Sequence, residues 1–219
     1  MTSKDCGHDD DERKEGIRRI LGAILTLIVL VLLVVFIIWL VLRPTKPRFV
    51  LQDATIYAFN VTTPNLLTAT FQVTLSSRNP NQRIGIYYER LDVHAAYHNQ
   101  QITLPTRLPY TYQGHKDTTI WSPFLYGNSV PIAPYLGLSL QQDQNAGLVL
   151  MNIKVNGKVK WKVGTWVSGK YHFNANCPAY ISFSNKGNNN NNNPSAGFNV
   201  GSAAVKFQLS SSCQVDVAI

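Results

Sequence analysis

From Ile20 to Leu42 the sequence contains no charged side chain, no proline, no asparagine and no glutamine across 23 consecutive positions. At 1.5 Å per residue the run is about 34 Å long as a helix, enough for a ~30 Å hydrocarbon core. A helix also satisfies its own backbone hydrogen bonds in lipid. A cleavable signal peptide has a shorter apolar core ending in small residues. This run instead ends Trp39-Leu40-Val41-Leu42-Arg43-Pro44, and Trp39 suits the membrane interface. The expectation is a retained transmembrane helix over 20–42.

Acidic residues are scarce beyond the run. From Arg43 onward there are fifteen Lys and Arg but only six Asp and Glu (Asp53, Glu89, Asp92, Asp117, Asp143 and Asp216), a formal charge of +9. None of the six falls in a glycosidase or calcium-loop pattern. Gly-x-Ser-x-Gly and phosphate-loop signatures are absent. His94 and His98 are four apart, but on a strand they only share the solvent face, with no third ligand nearby in sequence. No catalytic residue, metal site or cofactor is expected.

Orientation follows from the basic residues. Lys4, Arg13, Lys14, Arg18 and Arg19 precede the span, whereas Arg43, Lys46 and Arg48 follow it closely. The bias places residues 1–19 in the cytoplasm and everything after the span outside the cell or in the secretory lumen. That compartment removes nucleic acid as a partner for the basic domain. Acidic wall polysaccharide and anionic lipid heads remain, beside the plainer reading of a solvated basic surface. Cysteine is also scarce. Cys6 lies in the tail, and Cys177 and Cys213 lie in the oxidising compartment, where they allow one disulfide. Asn60-Val61-Thr62 is the single sequon.

Pro44 and Pro47 make 43–48 a stiff stem. After it, period-two alternation dominates. Leu67, Ala69, Phe71, Val73 and Leu75 form one apolar set, Leu91, Val93, Ala95 and Tyr97 a second, and Tyr171, Phe173, Ala175 and Cys177 a third. Val205, Phe207 and Leu209 form another near the end. Each set predicts a half-buried strand. Asn156-Gly157 looks like a hairpin turn, but a hairpin there would put Lys158, Lys160 and Lys162 on the core face with Ile153 and Val155. Burying three ammonium groups is prohibitive. We therefore expect one long strand over 149–163, bent or bulged at Gly157. Leu136 and Leu140 suggest a short helix. The six asparagines Asn188–Asn193 predict a disordered loop over 185–197. The fold class expected for 49–219 is all-β, a fibronectin- or immunoglobulin-like sandwich.

Two stretches are dense in turn chemistry. Asn79-Pro80-Asn81 ends the first clear strand and Tyr87-Tyr88 lies in the next, while Tyr110-Thr111-Tyr112-Gln113-Gly114 forms a later loop. As turn residues they fix a hairpin and a strand entry. As functional residues they would form an exposed aromatic and polar edge for a partner.

Arg78-Asn79-Pro80-Asn81-Gln82-Arg83-Ile84-Gly85-Ile86-Tyr87-Tyr88 resembles the signature of the plant harpin-induced, non-race-specific disease-resistance-like membrane proteins. Their outer domain is of the late-embryogenesis-abundant group-2 type. Tyr112 to Thr118 resembles that family's second motif, and Gly157 to Gly164 with Cys177-Pro178 its third, in the family's order. A phenylalanine of the second motif is replaced here by Tyr110 or Thr111. No long apolar tail follows Cys213, so the family's occasional lipid anchor is not expected, and no Arg-Gly-Asp or Asn-Gly-Asp tripeptide supports integrin-like adhesion.

The resemblance implies a plant plasma-membrane protein with a fibronectin-like sandwich, connected with defence and stress; plasmodesmata are an alternative location. The tether, the basic outer domain and the missing catalytic set point to the bilayer and to other membrane proteins or acidic wall polysaccharide as its partners, with homo- and hetero-oligomers both open. Its role would be non-catalytic interaction and tethering, or alternatively lipid binding and membrane protection.

Overall fold

The structure is a computed structural model that describes residues 8–41, 44–62, 65–182, 205–206 and 210–218. The expected Asn-rich loop lies outside these residues, as do Phe207 and Leu209. The chain divides into two units, residues 1–43 and 44–219.

The first unit contains the helix α1, His8–Val41. It begins twelve residues before the expected span, so much of the basic tail is helical. Within α1, Gly16–Ile37 has a mean hydropathy of 3.4 and none of it is buried by protein. That stretch is long and apolar enough to cross a membrane.

The second unit is a sandwich of two antiparallel sheets. The six-stranded sheet contains β1 (Arg48–Thr62), β2 (Leu66–Arg78), β7 (Thr118–Trp121) and β8 (Phe124–Pro131), with β12 (Val205–Lys206) and β13 (Ser211–Ser212) on β1. The eight-stranded sheet is built around β3 (Ile84–Tyr97), β9 (Leu148–Val163) and β11 (Tyr171–Ser182). Its shorter strands are β4 (Gln100–Gln101), β5 (Thr106–Leu108), β6 (Thr111–Gln113), β10 (Trp166–Val167) and β14 (Gln214–Ala218). The expected alternation sets of β2, β3 and β11 face inward, and Leu67, Phe71, Val73, Leu75, Val93, Ala95, Phe173 and Cys177 are among the fully covered side chains. Phe49 of β1 lies 4.9 Å from Phe173 and 6.0 Å from Tyr88, ring centre to ring centre, and joins the two sheets. α2 (Pro134–Asn145) buries Leu136 and Leu140, the pair that predicted it.

Two expectations need correction. The long strand is real, and β9 pairs without interruption with β11 from Val159 to Leu148. The bulge, however, lies on the neighbouring strand β3, between Tyr88 and Arg90, rather than at Gly157. That extra residue carries the Arg90 carbonyl toward β9, where a Cβ on residue 157 would overlap it and the Leu91 side chain. Glycine is therefore required by close backbone approach. Gly157→Ala is expected to cost about 2–3 kcal/mol, read as a lower thermal midpoint; an unchanged midpoint would contradict this packing.

His98 does not share a strand face with His94. It sits with Asn99 in the tight turn between β3 and β4, both at positive φ (45° and 67°), the backbone of a two-residue hairpin. His94 is half-buried, and burial and the nearby Lys154 push its pKa below the ordinary value, with Asp92 opposing.

Candidate functional site: a buried motif hub and an exposed tyrosine–lysine face

Pro80 lacks an N–H, so β2 ends at Arg78 and the chain turns. Asn79 precedes the proline and is held extended, with its side chain directed inward. Its Nδ2 donates to the carbonyls of Ile84 (2.7 Å) and Gly114 (2.8 Å). Its Oδ1 accepts from the backbone N–H (3.0 Å) and the Nδ2 (2.9 Å) of Asn81. Asn81 in turn clasps the stem: its Oδ1 accepts from the Thr45 N–H and its Nδ2 donates to the Thr45 carbonyl, both at 2.8 Å. The backbone N–H of Asn79 donates to Asp117 O, and that of Lys116 to Asn81 O. The turn thus ties together the stem, the end of β2, the start of β3 and the 114–117 loop.

A second network lies beside it. The hydroxyl of Tyr88 is 2.8 Å from Ser77 Oγ and donates to Gln113 Oε1 at 2.9 Å. Gln113 Nε2 donates to the carbonyls of Ser77 (2.7 Å) and Asp117 (3.0 Å). Burial raises the Tyr88 phenol's pKa well above its ordinary value, opposed by the Ser77 hydrogen bond; the group stays neutral.

These placements divide the expected interaction edge. Asn79, Asn81, Tyr88 and Gln113 are buried, so they cannot meet a partner. They are held inside because each amide or hydroxyl group finds its hydrogen bonds there. Pro80, Tyr87, Tyr112 and Gly114 keep surface exposure. The Tyr87-Tyr88 pair splits across its strand, one ring inside and one outside, as strand geometry requires.

Outside, Tyr87 stacks near Tyr112 (4.6 Å between ring centres) and Tyr110 (5.9 Å). Lys162 Nζ stands 5.1 Å from the Tyr112 ring centre and 5.7 Å from that of Tyr87, within cation–π range. Lys160 pairs with Glu89, and Lys170 Nζ lies 3.7 Å from the same carboxylate. The hydrogen bond from Lys160, with the charges of both lysines, holds the Glu89 carboxyl below the usual range. The alternation of β9 exposes these lysines. In the sequence, Lys158, Lys160 and Lys162 exclude a hairpin, and the same alternate spacing is the signal of a basic strand face.

Four of the five other acidic residues of the sandwich have separate partners. Asp92 meets Arg90 and Arg107, Asp216 meets Lys46, Asp143 accepts from the Tyr97 hydroxyl at 2.7 Å, and Asp117 accepts from the Thr118 N–H. Among the described residues, no three His, Cys, Asp or Glu side chains gather as a metal site would require.

Cys177 and Cys213 form a disulfide. Cys213 sits where the chain leaves β13 on the six-stranded sheet and enters β14 on the eight-stranded one, and its N–H donates to Phe49 O at 2.9 Å. Asn60, the sequon residue, is half-buried on β1 opposite Thr68, and its Oδ1 is buried without a hydrogen-bond partner.

Residues 74–177 match the late embryogenesis abundant protein family, a span that contains the tyrosine–lysine face and, apart from Thr45 of the stem, both networks. The chain is 55% identical to NDR1/HIN1-like protein 1 of Arabidopsis thaliana over 216 residues, covering 98% of this chain and all of that protein. It is 52% identical to NDR1/HIN1-like protein 12 of the same plant over 218 residues, 99% of this chain and all of that protein. NDR1/HIN1-like protein 26 is 44% identical over 66% of this chain and 69% of its own length. With motif hub, sandwich, apolar helix and full-length similarity in agreement, the chain belongs to the NDR1/HIN1-like family and carries its late-embryogenesis-abundant domain.

Proposed function

We propose that this is a single-pass plasma-membrane protein of plant defence and stress response. In this reading residues 1–19 face the cytoplasm, and the sandwich lies outside as a non-catalytic interaction and tethering module. The observation that carries it is the apolar helix, unburied over Gly16–Ile37, joined to a domain whose exposed surface gathers tyrosines and lysines on one sheet. Family membership supports the defence and stress role. The disulfide suits an oxidising compartment, and on that side Asn60 becomes a glycosylation acceptor.

A module of this kind must have neighbours outside the membrane. Membrane-impermeant cross-linking of intact cells expressing the full chain is expected to yield adducts with wall polymer or with other membrane proteins. Recovery of the chain free of adducts, while a known surface protein is cross-linked, would count against the tethering role.

A further inference from the structure

β9 is the middle strand of the eight-stranded sheet, and its outward positions carry Lys154, Lys158, Lys160 and Lys162. Alternate residues of a strand are about 7 Å apart, so the row runs for about 26 Å. Lys160 is neutralised by Glu89. Lys158 is not given such a partner by the register: its cross-strand neighbour on β3 is another cation, Arg90, whose own guanidinium meets Asp92. Like charges side by side on a sheet oppose folding, and a linear polyanion laid along the strand would relieve them.

Two further features identify the kind of polyanion. At one end of the row, the Tyr112 ring lies over Gly85, where any Cβ would overlap it. This seat fixes the ring beside Tyr87 and Tyr110, in a cluster where Tyr112 is 42% exposed and Tyr110 63%. Such a platform presents π-faces to the C–H face of a sugar ring. At the other end, an open concavity is lined by Lys154, Asn156, Asn174, Asn176, Gln214 and Asp216. Side-chain amides offer a donor and an acceptor side by side, matching adjacent sugar hydroxyls. Phosphate headgroups need neither feature.

We propose that this face binds a linear polysaccharide of uronic acid units along β9. Carboxylates meet Lys158 and Lys162, and sugar rings lie on the Tyr87–Tyr112 cluster. The proposal rests on the sandwich lying outside the membrane, where such polymers occur.

The test uses the full chain in phosphatidylcholine nanodiscs, titrated with polygalacturonate oligomers at several salt concentrations. Fully methyl-esterified oligomers and phosphatidylserine vesicles serve as comparators. Binding to polygalacturonate should weaken with salt, and Lys158→Gln with Lys162→Gln should reduce it about tenfold and flatten the salt slope. Tyr112→Ala should reduce affinity several-fold at an unchanged slope, and Arg48→Gln on the opposite sheet should leave binding as it was. Equal affinity in the double lysine variant, equal binding of the esterified polymer, or preference for phosphatidylserine would overturn the proposal. A negative result here leaves the membrane-tether reading standing, because the purified system has no sidedness; a reversed topology in cells would overturn that reading instead.

Discussion

Cys213→Ser is expected to lower the stability of the sandwich by about 3–4 kcal/mol, the loop-closure contribution of a bridge that spans 36 residues. For a domain of this size that is a fall of roughly 10 °C in melting temperature. The loss should be uneven. Cys213 pins the crossing from β13 to β14, and five β14 residues, Gln214–Ala218, pair with β11. Without the bridge, β14 should open first and expose the edge of β11. Hydrogen exchange on the full chain in micelles should therefore quicken in 214–218 before β2 or β9 responds. Reductant should reproduce the effect in the unsubstituted chain and add nothing to the variant. A melting temperature indifferent to both would contradict this role.

Asn79→Ala should be at least as damaging. The substitution removes four hydrogen bonds, to Ile84, Gly114 and Asn81, and leaves the partner groups unsatisfied in a buried site. At about 1 kcal/mol for each bond, with desolvated partners adding to it, the cost is about 3–5 kcal/mol. Asn81→Ala should cost less in stability but should release Thr45, which makes the stem's exchange the distinguishing readout. Because the two asparagines share bonds, the double variant should fall short of the sum of the singles. Additivity would mean that the hub is not a unit.

The contrast between these residues and the strands shows what the sequence could reveal. The inward sets of β2, β3 and β11 were legible because burial on one face imposes a period of two, and that signal is local. β9 was legible despite its Asn-Gly pair because three lysines cannot be buried. Its bulge was assigned to the wrong strand, since only the facing chain shows why residue 157 must lack a side chain. Asn79 and Asn81 read as surface turn residues because asparagine is costly to bury alone. Beyond Ile84 and each other, their side-chain partners are Thr45 and Gly114, more than thirty residues away, a relation no local pattern carries. Tyr87 and Tyr88 were visible as a pair, but which ring faces solvent depended on strand phase. The short strands β4 to β7 have too few residues for a period to show.

Everything proposed about partners depends on which side of the membrane the sandwich occupies. The direct measurement places different epitope tags at the two ends of the full chain and adds protease to intact cells. The C-terminal tag should be lost while the N-terminal tag stays protected with the helix. Survival of the C-terminal tag, with the protease shown to be active on a known surface protein, would place the sandwich inside and contradict the account.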